Sequence, residues 1–112
     1  MQSTELVTLQ GDVPMTTSRI VAEVFEKRHD HVLRAIDGIL LKLKNIRYTD
    51  IDTKFMVTTF DVQIPYAVRK DRGFLISSYG FALLAMGFTG TKAMARKVLF
   101  LDEFRRVSGQ IT

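Results

Sequence analysis

The feature of this sequence that most constrains its fold is a pair of amphipathic segments separated by a short polar break. Apolar residues recur at helical spacing over residues 20–25, stop at 27–29, and return at spacings of three and four over 33–43. Hydroxyl side chains precede the first segment and Asp30 precedes the second, and such side chains accept hydrogen bonds from the free amides at a helix start. The pattern therefore predicts a short helix and then a longer one within about residues 17–44.

The central part of the chain has the composition of β-strands. Residues 55–60 (FMVTTF) are β-branched and aromatic, and residues 73–76 (GFLI) form a second candidate strand. The basic run 69–72 (RKDR) would then lie at the tip of a ribbon that spans about residues 54–76. A further short strand is expected at 6–9. Together with the two helices, these strands predict an α+β domain of the winged helix-turn-helix type with a small antiparallel sheet.

Two more helices are predicted after the ribbon, within about residues 78–107. Ser77 or Ser78 can cap the first of them, and Gly87 can take the left-handed conformation at its end. Thr89 can cap the second. We therefore expect a C-terminal helical pair beside the winged part of the domain.

The last of these helices is apolar on more than one side. Its apolar residues at helical spacing are Met94, Val98, Leu101 and Phe104. Phe100 and Val107 lie off that stripe. A helix that is apolar over so wide an arc often buries its second side against another chain, which predicts a homodimer. The alternative is that the domain's own sheet covers this side.

Length, charge and cysteine content limit the classes of protein to which this chain can belong. It has 112 residues, no Cys and a net charge of +4. The missing thiols exclude disulfides and thiolate metal sites, and no apolar run approaches the roughly 20 residues of a membrane span. Residues 1–9 show neither a basic start nor an apolar run of signal-peptide length. We expect one domain, residues 1–112, in a cytoplasmic protein that makes no contact with a membrane.

The predicted second helix has the character of a DNA-recognition helix. With Leu33 and Ile36 in its apolar stripe, His31, Arg34 and Gly38 face away from the core. Arg34 can form paired hydrogen bonds with guanine, and the cations just before this helix lie where phosphates approach a helix N-terminus. The alternative is a basic helix face that is only solvated.

The candidate contacts with double-stranded DNA come from the start of the first helix, the break with the second helix, and the ribbon. They are Thr17, Ser18, Lys27, Arg28, His29, His31, Arg34, Arg69, Lys70 and Arg72. The three ribbon cations would form the wing and touch the backbone or the minor groove, unless they are basic for solubility alone.

Catalysis and metal or cofactor binding are not expected. His29 and His31 are two residues apart and point in different directions on a helix, so we expect one to bond phosphate and the other to cap or pack. Residues 87–92 (GFTGTK) lack the spacing of a phosphate loop. They indicate a tight corner between helices, although a helix N-terminus there could hold one backbone phosphate. The carboxylates are scattered and nothing marks a nucleophile, so we expect no enzyme.

Three blocks of this sequence resemble the phage regulatory protein Rha family, which temperate phages and prophages encode. The blocks are Thr17–Ser18 with Val21–Ala22 and Phe25, residues 27–33 (KRHDHVL) with Ile36, and residues 80–93 (GFALLAMGFTGTKA). The similarity spans about residues 13–107. Where relatives commonly carry an amide after the KRH motif, this chain has His31, which bears on its base preference.

The resemblance implies a phage regulator that acts on DNA in the host bacterial cytoplasm, linked to the host's integration host factor. We therefore expect a DNA-binding regulator of phage gene expression that forms a homodimer. The alternative is an antirepressor-type module that captures a repressor or host factor, without binding DNA, through Phe88 or the last helix.

Overall fold

The computed structural model describes residues 5–109, with four helices and four strands in that range. In chain order the elements are β1 (Thr8–Gln10), β2 (Val13–Thr17), α1 (Ser18–Val24), α2 (His29–Asn45), β3 (Phe55–Ile64), β4 (Ala67–Ser77), α3 (Ser78–Ala85) and α4 (Thr91–Ser108). This confirms the predicted α+β class. The first strand begins at Thr8, later than expected, and Leu6 and Val7 before it are buried in the core. Within residues 5–109, each helix is too short or too polar to span a bilayer.

The sheet is antiparallel throughout, with the strand order β1-β2-β4-β3. Strands β3 and β4 pair over ten residue pairs, and only Pro65 and Tyr66 lie between them. Tyr66 closes the turn with a left-handed φ of 66°. The prediction that residues 69–72 form the ribbon tip is therefore wrong, since this run lies inside β4. Cross-strand pairs such as Asp61 with Lys70 hold the charged part of the ribbon together.

Helices α1 and α2 form as the apolar spacing predicts. Thr17 caps α1, because its hydroxyl oxygen accepts a hydrogen bond from a first-turn amide at 3.1 Å. The break covers residues 25–28, where Glu26 takes a left-handed φ of 54°. Helix α2 then begins at His29. Asp30 therefore lies in the first turn of α2 and is not the cap that the sequence predicts.

The corner between α3 and α4 differs from the expected one. Ser77 caps α3 as predicted, with its hydroxyl oxygen accepting from the amide of Gly80 at 3.2 Å. Gly87 does not adopt the left-handed conformation expected of it. Gly90 instead has a φ of 102° and is the N-cap of α4, so Thr89 does not cap this helix. Since L side chains rarely adopt such a φ, the corner requires glycine at this position.

An aromatic cluster lies at the centre of the core, where α1, α3 and α4 meet. Phe100 of α4 stacks on Phe25 with 5.7 Å between ring centroids, and contacts Phe81 of α3 at 4.6 Å. Phe88, in the corner before α4, packs on Phe25 at 4.6 Å. Because these rings are buried, Phe88 does not form the interaction surface expected for an antirepressor.

The two apolar sides of α4 are buried differently from the expectation. Phe100, Phe104 and Val107 face the core of the domain. The side that we expected to bury against another chain is therefore covered by the chain itself. Four apolar residues of α4 are about half-exposed: Met94, Val98 and Leu101, which form one stripe on its outer side, and Leu99, which lies apart from that stripe.

Candidate nucleic-acid interface

One face of α2 is exposed along its first turns. Ile36 is fully buried on the inner side of the helix, whereas His31, Arg34, Ala35 and Gly38 are exposed at spacings of three and four residues. His31, Arg34 and Ala35 line a shallow depression. The small residues Ala35 and Gly38 leave room for another surface to approach the helix backbone, and the longer side chains flank that space.

Asp30 orients the cations at the start of α2. Its carboxylate accepts a hydrogen bond from Arg28 Nε at 3.1 Å and another from Arg34 Nη2 at 3.5 Å. Desolvation raises the pKa of Asp30, but the charges of Arg28, His31 and Arg34 outweigh it, so this pKa lies below its ordinary value. Both arginine side chains stay about three-quarters exposed. They are therefore oriented by Asp30 and still accessible to an anionic ligand.

Ser18 connects the two helices to the ribbon. Its side chain is fully buried, and its hydroxyl oxygen accepts a hydrogen bond from the amide of Phe74 in β4 at 3.0 Å. The same oxygen lies 2.8 Å from His29 Nε2. Since the buried hydroxyl proton needs an acceptor, we infer that Ser18 donates to His29, whose neutral imidazole then carries its proton on Nδ1. Ser18, one of the predicted DNA contacts, is thus buried and hydrogen-bonded inside the domain, and His29 is partly buried beside it.

The surroundings of His29 favour its neutral form. Burial lowers the pKa of His29 below the ordinary 6.5, and the charge of Arg19 lowers it further, against the opposing charge of Asp71. The imidazole meets the Phe60 ring edge-on at 6.3 Å, and the Arg19 guanidinium lies 5.3 Å from the centre of the same ring. Within residues 5–109, no three His, Asp or Glu side chains converge as ligands of a metal ion would.

Two further contacts fix the ribbon against the helices. The Phe60 ring lies over Gly73, where a Cβ atom would overlap the ring and come within 3.0 Å of Ser18 Oγ. Arg72 of β4 donates two hydrogen bonds to the carboxylate of Asp37 in α2, at 3.2 and 2.9 Å. Arg72 was expected at a ribbon tip, and it instead connects the ribbon to the exposed side of α2.

The other two ribbon cations are exposed and paired within the ribbon. Arg69 donates two hydrogen bonds to Asp71, at 2.7 and 3.0 Å, and Lys70 lies 2.6 Å from Asp61 on the neighbouring strand. The tip of the ribbon is formed by Tyr66, which is fully exposed. The ribbon therefore presents an aromatic side chain at its tip and neutralised cations along its length.

The remaining predicted contacts lie near the start of the two helices. Lys27, in the break, is exposed and places its Nζ 5.0 Å from the centre of the Phe88 ring. Thr17 is partly buried and uses its oxygen to cap α1.

The sequence reasoning missed three exposed residues of this surface. Arg19 follows the predicted cap of α1, and Ala35 lies four residues after His31 on the outer face of α2. Both positions follow from the helical spacing. Tyr66 follows Pro65 in a turn that contains no Gly or Asn, so the usual signal of a hairpin turn is missing.

The fold and this surface define a small α+β domain whose second helix presents an exposed basic face beside a two-stranded ribbon. Residues 16–108 match the family described as phage regulatory protein Rha. The chain belongs to this family, as the sequence blocks indicated.

Two curated relatives support the assignment. An uncharacterized 22.8 kDa protein in the gp15-gp3 intergenic region of Salmonella phage P22 is 30% identical over 109 residues, which are 96% of this chain and 51% of that protein. An uncharacterized protein of Haemophilus influenzae is 32% identical over 90 residues, which are 80% of this chain and 49% of that protein. The chain thus spans about half the length of the curated relatives it matches. No solved structure matches it.

Proposed function

We propose that this domain binds double-stranded DNA by placing α2 in the major groove, and that it regulates phage gene expression in this way. The observation that carries the proposal is the exposed face of α2, where His31 and Arg34 lie beside the small residues Ala35 and Gly38. The major groove of B-DNA admits an α-helix, and short outer side chains let the helix approach closely. Helix α1 packs against α2 on the inner side, as in helix-turn-helix domains.

Arg34 is the candidate for reading a base. Its guanidinium can donate two hydrogen bonds to guanine, and in doing so it would give up the long 3.5 Å contact with Asp30. Ala35, next to it, can touch the methyl group of thymine. His31 lies one turn earlier on the same face and can bond either a base edge or a phosphate. Base preference would thus come from three neighbouring residues of α2.

The phosphate contacts would come from the start of both helices. Lys27 and Arg28 lie just before α2, where the helix dipole and the free amides also favour an anion. Arg19 is exposed in the first turn of α1. Thr17 can donate its hydroxyl proton while its oxygen caps α1. These contacts would hold the domain on the duplex without reading its sequence.

The ribbon would act as the wing. Tyr66 at its tip and the exposed cations Arg69 and Lys70 can reach the backbone or the minor groove. Because each cation already has an aspartate partner, we rank these contacts below those of α2. Arg72 supports the wing through Asp37.

The wider organisation is part of the same proposal. Residues 1–112 would act as a single Rha-like domain in the host bacterial cytoplasm, with a helix-turn-helix at about 17–44, a wing at about 54–76 and a helical pair at about 78–107. Two copies of the chain would present two α2 helices to half-sites about one helical turn of DNA apart, roughly 34–36 Å.

The first test is the salt dependence of DNA binding. Duplexes enriched by the purified protein from a random pool are labelled, and their affinity is measured by fluorescence anisotropy from low to physiological salt. The logarithm of affinity should fall linearly with the logarithm of salt, by about 0.9 for each neutralised phosphate. Failure to enrich any duplex, or an affinity that does not change with salt concentration, would contradict the proposal.

The second test separates base reading from phosphate contact. Arg34→Ala should cost about 1–3 kcal/mol on the preferred duplex and relax preference at one base pair, whereas Lys27→Ala should weaken all duplexes alike. Arg106→Ala is the control, since Arg106 pairs with Glu103 on α4. Equal and sequence-independent losses from Arg34→Ala and Lys27→Ala would show that Arg34 does not read a base.

An apolar groove between α2 and α3 supports the second candidate, an antirepressor-type module that captures a repressor or host factor without binding DNA. The groove has a volume of about 480 Å³ and its apolar lining includes Ile39, Leu43, Ile46, Leu83 and Met86. Such a groove suits the apolar face of a partner helix. This candidate would be favoured if no duplex were enriched and if a substitution of exposed Ile46 abolished capture of a purified phage repressor.

A further inference from the structure

The outer side of α4 carries the spacing of a coiled coil. Met94, Val98 and Leu101 are four and three residues apart, and they are 58%, 48% and 46% exposed. In a heptad labelled a to g, this places Met94 and Leu101 at d and Val98 at a. The inner side of α4 is filled by Phe100 and Phe104, which are buried. Helix α4 therefore has two apolar sides, and within residues 5–109 only the inner one is covered.

Two charged residues flank this outer stripe at the positions that decide how paired helices align. In the same heptad register, Lys97 occupies position g and Asp102 occupies position e. In a parallel pair, a g residue faces the e residue five positions later on the partner helix. Lys97 of each copy would therefore meet Asp102 of the other. Neither side chain forms an ion pair within residues 5–109. Asp102 is exposed, and Lys97 is partly buried at a shallow depression beside α3 that Leu101 also lines.

An antiparallel alignment lacks this complementarity. In a two-fold antiparallel pair, each flank of the apolar stripe meets the same flank of the partner, so Lys97 would face the side that carries the partner's Lys97. Among parallel coiled coils, Val98 at a with Leu101 at d favours two strands over three or four. Arg105 follows at the next a position, where a polar residue limits the stripe and specifies the register.

We propose that two copies of this chain associate through α4 as a parallel, two-fold symmetric helix pair. The occupant of the outer side of α4 is thus a second copy, and the two reciprocal Lys97–Asp102 contacts set its orientation. The homodimer expected from the sequence was assigned to Phe100 and Val107, which face the core, and the stripe proposed here is a different, half-exposed side of α4. The pairing concerns α4 alone and does not depend on DNA binding.

The first test compares two leucines of α4. Leu101 is 46% exposed on the proposed interface, and Leu99 is 48% exposed on another side of the helix. In sedimentation equilibrium without DNA, the wild type should dimerise and Leu101→Glu should raise its dissociation constant about a hundredfold or more, because both copies lose a buried leucine. Leu99→Glu should leave it unchanged. A wild type that stays monomeric at high micromolar concentration overturns the proposal, and so do equal effects of the two variants.

The second test determines the orientation of the pair. The chain contains no cysteine, so each introduced cysteine can crosslink only with its own copy. Met94→Cys and Leu101→Cys should each give a disulfide-linked dimer under mild oxidation, because in a parallel pair both positions face their own copies. In an antiparallel pair at most one of them does, so a crosslink at a single position overturns the parallel orientation. Lys97→Glu should weaken the dimer, and adding Asp102→Lys in the same chain should restore it. A double variant weaker than the single one also counts against the proposal.

Discussion

Replacing Ser18 by alanine tests how the helices and the ribbon are joined. The substitution leaves the buried amide of Phe74 without its acceptor, which costs about 1–3 kcal/mol. It also removes the 2.8 Å hydrogen bond to His29, which contributes about 0.5–1.5 kcal/mol. We expect the free energy of unfolding to fall by about 1.5–4.5 kcal/mol. At about 4 °C for each kcal/mol in a chain of this size, the melting temperature should drop by about 6–18 °C.

The same junction should make stability depend on pH in mildly acidic solution. Because burial and Arg19 lower the pKa of His29 in the folded state, the unfolded chain binds more protons between that lowered value and the ordinary 6.5. The stabilisation that neutral His29 contributes is therefore complete above about pH 6.5 and is lost as the pH falls through the pKa of His29 in the folded state. A protonated His29 cannot accept from Ser18, so the penalty of Ser18→Ala should be smaller in acid than at neutral pH.

Urea denaturation followed by circular dichroism, repeated at several pH values, measures both effects. Ser78→Ala is the matched control, because Ser78 is exposed in the first turn of α3 and should change stability by less than about 0.5 kcal/mol. His29→Gln should remove the contribution of this histidine to the pH dependence. A Ser18→Ala variant as stable as Ser78→Ala would refute the bridging role of Ser18, and an unchanged pH dependence in His29→Gln would refute that of His29.

Three further substitutions test local features of the fold by the same denaturation assay. Gly73→Ala should cost about 1–3 kcal/mol, because its Cβ would displace the Phe60 ring, and Phe60→Leu in the same chain should recover part of that loss. Full stability of Gly73→Ala would contradict the packing described. Tyr66→Gly should stabilise the ribbon by about 0.5–1 kcal/mol by relieving the left-handed φ, and a loss would mean that the Tyr66 ring makes contacts. Thr16→Val should add about 1 kcal/mol, since the buried Thr16 hydroxyl has no partner among residues 5–109, and destabilisation would reveal one.

The two-helix part of the fold follows from local sequence, and so does the placement of the two histidines on opposite faces of α2. Apolar residues at helical spacing set the inner face of α2, with Leu33 and Ile36 on it. His29 lies four residues before Leu33 and seven before Ile36, so the same spacing places it on the inner face. His31 falls on the outer face. What the spacing could not reveal is the partner of His29, because Ser18 is distant in sequence and lies on another helix.

The length of the ribbon could not be predicted in the same way. Residues 61–64 and 67–72 are largely polar or charged, and local composition favours a loop there. The two strands nevertheless pair to their ends, because the charged residues find partners: Lys70 pairs with Asp61 across the ribbon, Arg69 with Asp71 along it, and Arg72 with Asp37 of α2. Such pairs exist only once the register is set. The prediction therefore made the two strands too short and moved the tip from Tyr66 to the basic run.

Helix α4 shows where periodicity leaves a choice that only packing can make. Its apolar residues form two stripes that share Phe104, one through Val98 and Leu101 and one through Phe100. Both stripes have helical spacing, so the sequence pattern predicts that α4 packs against the rest of the domain but not which of its sides faces inward. In the structure the aromatic stripe is inward, because a ring buries more area than an aliphatic side chain and Phe100 also stacks on Phe25. The aliphatic stripe is left outside, with Lys97 and other charged residues beside it. The packing that the sequence could not predict therefore leaves exposed the apolar side of α4 to which we assign a second copy.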